Sequence, residues 1–110
     1  MDSKSLHNIC THVLSSVTWI LHGSDEYVVV GDGISLDLLK MQQLVGNTFQ
    51  STEVLISVNR TIGFMVPTNA VASSVAVHLL QHSPITVTDD GFKNFLQVFS
   101  NGIARTGVAA

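Results

Sequence analysis

Apolar residues recur at helical spacing in the first part of the chain. They stand three or four positions apart in a stripe made of Leu6, Ile9, Cys10, Val13, Leu14, Val17 and Ile20. This spacing predicts an amphipathic helix over residues 3–21, which Gly23 ends. The opposite face of that helix would carry Asn8, His12, Ser15 and Trp19.

The next segment, residues 26–45, changes its period midway. A short β-branched run at 27–30 is broken by Gly31 and Gly33, and apolar residues then recur at helical spacing as Ile34, Leu38, Met41 and Val45. The pattern predicts a strand, a tight turn and a helix, with Ser35 as its N-cap. Such a unit begins a crossover in a sheet that has a helix packed on it.

The remaining pattern predicts a hairpin, a helix, a strand and a last helix. Residues 53–59 and 61–66 carry β-branched or aromatic residues at every second position (Val54, Ile56, Val58 and Ile62, Phe64, Val66), which indicates two paired strands, and a helix is expected over residues 70–81. Because Pro84 stands at its entry, the strand at 84–88 is expected at a sheet edge. Asp89 and Asp90 would then begin a helix whose stripe is Phe92, Phe95, Leu96, Phe99 and Ile103. Residues 105–110 are expected to fray.

Taken together, these elements predict a single α+β domain over residues 1–110. Their order is α-β-α-β-β-α-β-α, a two-layer sandwich with a ferredoxin-like βαββαβ middle and an extra helix at each end. The likeness is one of element order and carries no function by itself.

The composition points to a partner. Hydrophobic residues make up 45% of the chain and charged residues 12%, about half the charged share of an average soluble domain. Because so few charges cover a lone globule poorly, we predict a non-enzymatic assembly or protein-binding module that acts as a homo-oligomer. A net charge of −3 without a basic run disfavours nucleic acid. No secretory signal or apolar membrane span is present, so the predicted location is cytoplasmic and no membrane partner is expected.

The face formed by Asn8, His12, Ser15 and Trp19 is the predicted interface. A tryptophan on the outer side of an amphipathic helix needs a cover, and tryptophan is a favoured anchor in protein interfaces. The alternative is that another element of the same chain covers Trp19.

Gly31, Asp32 and Gly33 form a candidate anion- or ligand-binding turn. Backbone N–H groups at the start of a helix bind anions, and glycines let a phosphate approach closely. The turn lacks the further glycine of a dinucleotide fingerprint and the Lys-Ser/Thr pair of a phosphate loop, and Asp32 would repel a phosphate. A simple tight turn is the alternative.

His78 and His82 form a candidate metal site, because residues four apart share one helix face. Two imidazoles could ligate zinc or another transition metal if further ligands came from elsewhere; otherwise they are half-buried boundary histidines. No other cofactor is predicted. A small ligand- or metal-binding regulatory domain is therefore the alternative function. An enzyme ranks third, since no nucleophile elbow is present and Cys10 is expected to face the core.

Overall fold

The computed structural model describes residues 1–79 and 81–110. In these residues the helices are α1 (Ser3–Leu14), α2 (Leu38–Thr48) and α3 (Val71–Leu79), the last preceded by a 3₁₀ turn at Thr68–Ala70. The strands are β1 (Val17–Trp19), β2 (Val28–Val29), β3 (Glu53–Ser57), β4 (Gly63–Pro67), β5 (Ile85–Thr88), β6 (Asn94–Val98) and β7 (Ile103–Ala109).

The strands form one sheet in the order β1-β7-β6-β5-β3-β4, with β2 paired to the other half of β7. Every strand pair is antiparallel across the part of the chain that the structure describes. The fold is thus a mixed α+β fold with an antiparallel sheet, as the sequence predicts at the level of class. The segment from β2 to β5 has the predicted βαββαβ order, but its strands do not pair as in a split βαβ unit, which places parallel strands in one sheet.

The predicted C-terminal helix is wrong, because β6 and β7 form a hairpin in its place. The strand β6 is buried on both faces: Phe95 packs under α1, while Leu96 and Val98 face α2 and α3. A strand covered on both sides has no polar face, so its period of two is hidden. Residues 105–110 are accordingly not a frayed tail, since β7 pairs with β1, β2 and β6.

The first helix is shorter than predicted and ends at Leu14. The hydroxyls of Ser15 and Ser16 donate to the carbonyl oxygens of His12 and Val13, which satisfies the helix end. The following β-branched and aromatic run forms β1, with Trp19 opposite Gly107. The expectation that Trp19 lies on the outer face of α1 is therefore wrong.

The predicted hairpin at 53–66 is confirmed, with Leu55 opposite Met65 in register. Its turn is shaped by the side-chain oxygen of Asn59, which accepts from the N–H groups of Thr61 and Ile62. The next helix falls within the predicted 70–81, although Leu80 lies outside the described residues.

The strand β5 is central and not at an edge, contrary to prediction. It lies between β3 and β6, and all four of its residues are buried. The proline that suggested an edge, Pro84, stands just before Ile85, where the ladder needs no N–H donor.

Helices cover both faces of the sheet, so the predicted two-layer sandwich is wrong and the fold has three layers. The larger apolar cluster joins α2 and α3 to one face through residues such as Met41, Val45 and Val75. The smaller cluster joins α1 to the other face through Leu6, Cys10 and Phe95. None of the helices in the described ranges has the length and apolar character needed to cross a bilayer.

Candidate functional site

An open apolar groove of about 300 Å³ lies where three elements meet. The β2–α2 turn, the end of α3 and the β6–β7 turn contribute its walls. We call it the groove; its lining residues are Gly33, Ile34, Ser35, Leu36, Leu38, Ala76, Leu79, Ser100 and Gly102.

The base of the groove is fixed by two turns that touch backbone to backbone. The N–H groups of Val30 and Gly31 donate to the carbonyl oxygen of Gly102 at 2.8 and 3.1 Å. Gly102 has φ +92°, and a Cβ at this position would stand 2.5 Å from the carbonyl oxygen of Gly31. Glycine is therefore required for the two turns to meet, and their contact gives the groove a preformed floor.

The predicted anion-binding turn, Gly31 to Gly33, borders the groove, and the N–H groups of Gly31 and Asp32 already donate to the carbonyl oxygens of Gly102 and Ser35. The Asp32 carboxylate accepts from the N–H groups of Ser35 at 2.8 Å and Ile34 at 2.9 Å. These bonds, that of Ser35 first, lower the pKa of Asp32 below its usual value. An external anion would find these donors occupied and a carboxylate in its place, so the geometry favours a tight turn over a phosphate site.

The helix after this turn begins later than the sequence suggests. Its N-cap is Asp37 and not Ser35, because the Asp37 carboxylate accepts from the N–H of Lys40 at 3.1 Å. The shift by two residues leaves the segment from Ile34 to Leu36 outside the helix, where it forms a bend along the groove.

Large aliphatic side chains are exposed on the elements that build the groove. Ile34 is 81% exposed, Val77 76%, Leu39 73% and Leu38 47%. We call these four residues the apolar rim. Ile34 and Leu38 also line the groove, while Leu39 and Val77 each follow a lining residue on its helix. The side chains of the rim are held out in water by backbone that belongs to, or directly precedes, two packed helices.

The predicted interface residues are not gathered on one helix face. Asn8 and His12 are exposed on α1, and Ser15 is the exposed C-cap of that helix. Trp19 is half-buried on β1, where the Arg105 guanidinium lies 3.8 Å over its ring. The same chain thus covers one face of the indole. An interface role for these residues stays a prediction.

Arg105 is the centre of a cluster that the sequence pattern did not reveal. Its Nε and Nη2 donate to Gln97 Oε1 at 3.1 and 2.8 Å, and its Nη1 donates to Glu26 Oε1 at 3.2 Å. Tyr27 and Phe99 flank the guanidinium at 5.6 and 5.8 Å from their ring centres. Arg105 thus joins the segments of β2, β6 and β7 on the sheet face that carries Trp19.

The two candidate metal ligands, His78 and His82, are neighbours as predicted, with ring centres 6.4 Å apart. His78 also packs against Phe64, and His82 Nδ1 lies 3.3 Å from Asn59 Nδ2. Across residues 1–79 and 81–110, no His, Cys, Asp or Glu joins them to make a group of three. The pair by itself supplies two ligands, fewer than a tetrahedral zinc site needs.

Cys10 is 2% exposed, and burial raises the pKa of its thiol to about 11. Because thiolate is the reacting species, this rise lowers the reactive fraction about a hundredfold at neutral pH. We expect the folded chain to react with a thiol-specific chromogenic disulfide at least about a hundred times more slowly than the urea-unfolded chain. Equal rates in the two states would contradict the buried position, and Cys10→Ser supplies the blank.

Comparison with protein-family models, with curated proteins and with solved structures finds no match to this chain.

Proposed function

We propose that this chain is a non-catalytic assembly or protein-binding module that associates with a second copy of itself through the apolar rim. The observation that carries the proposal is the set of four aliphatic side chains, each half to four-fifths exposed, on the adjoining β2–α2 turn, α2 and α3. Clustered exposure of this kind marks interaction surfaces, whereas scattered single apolar residues do not. The cytoplasmic location belongs to the same proposal, because a free buried cysteine suits a reducing compartment.

Side-chain hydrogen bonds join the helices that bear the rim, which supports its use as a contact surface. Gln42 of α2 donates through Nε2 to the Thr68 carbonyl oxygen at 2.8 Å and accepts from the Ala72 N–H at 3.2 Å. These two bonds tie α2 to the start of α3. A surface on fixed helices loses little conformational freedom when it binds, so more of its apolar contact appears as affinity.

The charges beside the rim favour a second copy as the partner. Asp37 and Lys40 lie one turn apart at the start of α2, with opposite charges. In a two-fold interface each residue meets its counterpart region on the other copy, so Asp37 can face Lys40 reciprocally. The α1 surface offers less apolar area for such a contact, since its outward residues Asn8, His12 and Ser15 are polar.

Sedimentation velocity over a wide concentration range tests the proposal. We expect a mass well above the 11.8 kDa of one chain that falls to one chain in Val77→Asp, because a carboxylate buried in an apolar interface is strongly unfavourable. Leu21→Asp is the matched control: Leu21 is 65% exposed, lies in the loop after β1 and does not line the groove.

Two results would contradict the proposal. One is a wild-type chain that sediments as a single copy at every concentration. The other is an assembly that Leu21→Asp dissociates and Val77→Asp does not, which would move the contact surface away from the rim.

A small ligand-binding domain is the second candidate function. The groove favours it, because pockets that hold small molecules are concave, mostly apolar and preformed. The pair of His78 and His82 gives weaker support to a metal-binding version.

A further inference from the structure

We infer that the groove binds one small uncharged molecule with an apolar body and a single hydroxyl or amide end. This inference concerns the interior of the groove, does not depend on self-association through the rim, and names the ligand class that the second candidate function leaves open. Its support comes from the volume, the lining and the charges of the groove.

The volume sets the size of the ligand. Ligand pockets span roughly 300–1,000 Å³, and an apolar cavity of about 150 Å³ accepts benzene. At about 300 Å³, the groove has room for one ring with a short substituent. A nucleotide or a cofactor with several rings would extend beyond it.

The lining sets the apolar body and the position of its polar end. Leu36, Leu38 and Leu79 with Ala76 form the walls, while Ser35 and Ser100 bring two hydroxyls. Both serines are exposed, and neither hydroxyl is hydrogen-bonded to another residue in the described part of the chain. A ligand hydroxyl or amide can pair with them, because each serine hydroxyl both donates and accepts.

The groove is built before any ligand arrives. The Gly31–Gly102 backbone contact fixes its floor, and the Ser100 N–H donates to Ser83 Oγ at 3.0 Å, which holds the second turn. A preformed site loses little conformational entropy when a ligand binds, so weak apolar contacts suffice for binding.

The charges near the mouth exclude an anionic end. The Asp32 carboxylate occupies the N–H groups of Ile34 and Ser35, and Asp37 follows at the start of α2. A ligand carboxylate or phosphate would meet these two carboxylates, and four N–H groups of the turn, those of residues 31, 32, 34 and 35, are already bonded. A cationic end gains little, because Asp32 is fully exposed and water screens its charge.

Titration by NMR with two matched probes tests the inference. Benzyl alcohol and benzoate share one ring and differ in the charge of the polar end. We expect benzyl alcohol to shift the amide signals of Leu36, Ala76 and Leu79 saturably, and benzoate to bind at least about tenfold more weakly. Absence of saturable shifts at these amides with benzyl alcohol, or equal binding of benzoate, would overturn the inference.

Filling the groove provides the second arm. Ala76→Leu and Ala76→Phe should weaken benzyl alcohol binding progressively, while Ser73→Leu, at an exposed position one turn earlier on α3, should leave it unchanged. Circular dichroism checks that each variant folds. If Ala76→Phe does not fold, the result for Ala76→Leu is the decisive one. Undiminished binding in Ala76→Leu would overturn the inference.

A third variant separates the two proposals. Val77→Asp is expected to abolish self-association and to keep benzyl alcohol binding, because Val77 belongs to the rim and does not line the groove. Loss of binding in this folded variant would tie the ligand to the interface and overturn an independent site. If the wild type proves to be a single copy but binds the probe, the proposed function fails and this inference stands.

Discussion

Replacing Gly102 with alanine is expected to lower the free energy of unfolding by about 4 kcal/mol. The positive φ of +92° is strained for any residue with a Cβ, and the added carbon would meet the carbonyl oxygen of Gly31 at 2.5 Å. The atoms nearest to the added carbon belong to the backbone of Gly31 and Asp32 and not to a flexible side chain. The β2–α2 and β6–β7 turns must therefore separate. That separation breaks the bonds from Val30 and Gly31 to the Gly102 carbonyl. Chemical denaturation followed by circular dichroism measures the change.

Gly46→Ala is the matched control for this substitution. Gly46 lies inside α2, and a Cβ there has no heavy atom within 4 Å. Alanine at a free helical position stabilises by about 0.5–1 kcal/mol relative to glycine. The two identical chemical changes should therefore have opposite signs. A Gly102→Ala chain as stable as the wild type would refute the tight packing of the two turns.

Removing the guanidinium of Arg105 is the second substitution with a large expected effect. Arg105→Ala should lower the free energy of unfolding by roughly 2–4 kcal/mol, because it leaves the Gln97 oxygen without two donors and uncovers the Trp19 ring. Gln97 is 5% exposed, so water cannot readily replace those donors. Trp19 is the only tryptophan in the sequence, and its fluorescence should change together with stability. Equilibrium unfolding monitored at this tryptophan measures both.

Two variants distinguish the shape of the arginine from its charge. Arg105→Lys keeps the charge but cannot donate twice to Gln97 while stacking on the indole, so it should lose about half as much stability as the alanine variant. Glu26→Gln should cost under about 1 kcal/mol, since the carboxylate is 35% exposed. A lysine variant with wild-type stability, or a glutamine variant as damaged as Arg105→Ala, would show that charge pairing dominates.

The fold could be predicted from sequence where one face of an element meets water. The β3–β4 hairpin and α3 were found because half-buried elements show their period in the pattern of polar and apolar residues. The class, α+β, followed from those elements. At the start of the chain, α1 was found but extended too far, because Val17 continues its stripe by coincidence after the helix has ended.

The last third of the chain was misassigned because burial on both faces hides the strand period. Helical spacing is satisfied by Phe92, Phe95, Leu96 and Phe99, which predicted a helix. The structure instead has the strand β6 at Asn94–Val98. A local signal was present in Asn101 and Gly102, a dipeptide that favours hairpin turns. Gly102 indeed adopts the positive φ that such a turn requires.

The candidate site could be predicted in part. The glycine turn at Gly31 to Gly33 does border the groove, because a strand–turn–helix junction is readable from sequence. The walls contributed by Ala76, Leu79 and Ser100 were not predicted, since they depend on how α3 and the β6–β7 turn approach that junction. The Arg105 cluster was missed for the same reason: it joins Glu26 and Gln97, which lie 79 and 8 positions away along the chain.

Because β7 pairs with β1, β2 and β6, we expect its position in the sheet to influence the order in which the chain folds. Its partners β1 and β2 come from far earlier in the sequence; the contact between His22 and Thr106, for example, spans 84 positions. Closing so long a loop lowers the conformational entropy of the chain before the stabilising strand contacts form. The segment from α2 to β6 can collapse through nearer contacts, so we expect the pairing of β7 with β1 and β2 to be a late step of folding.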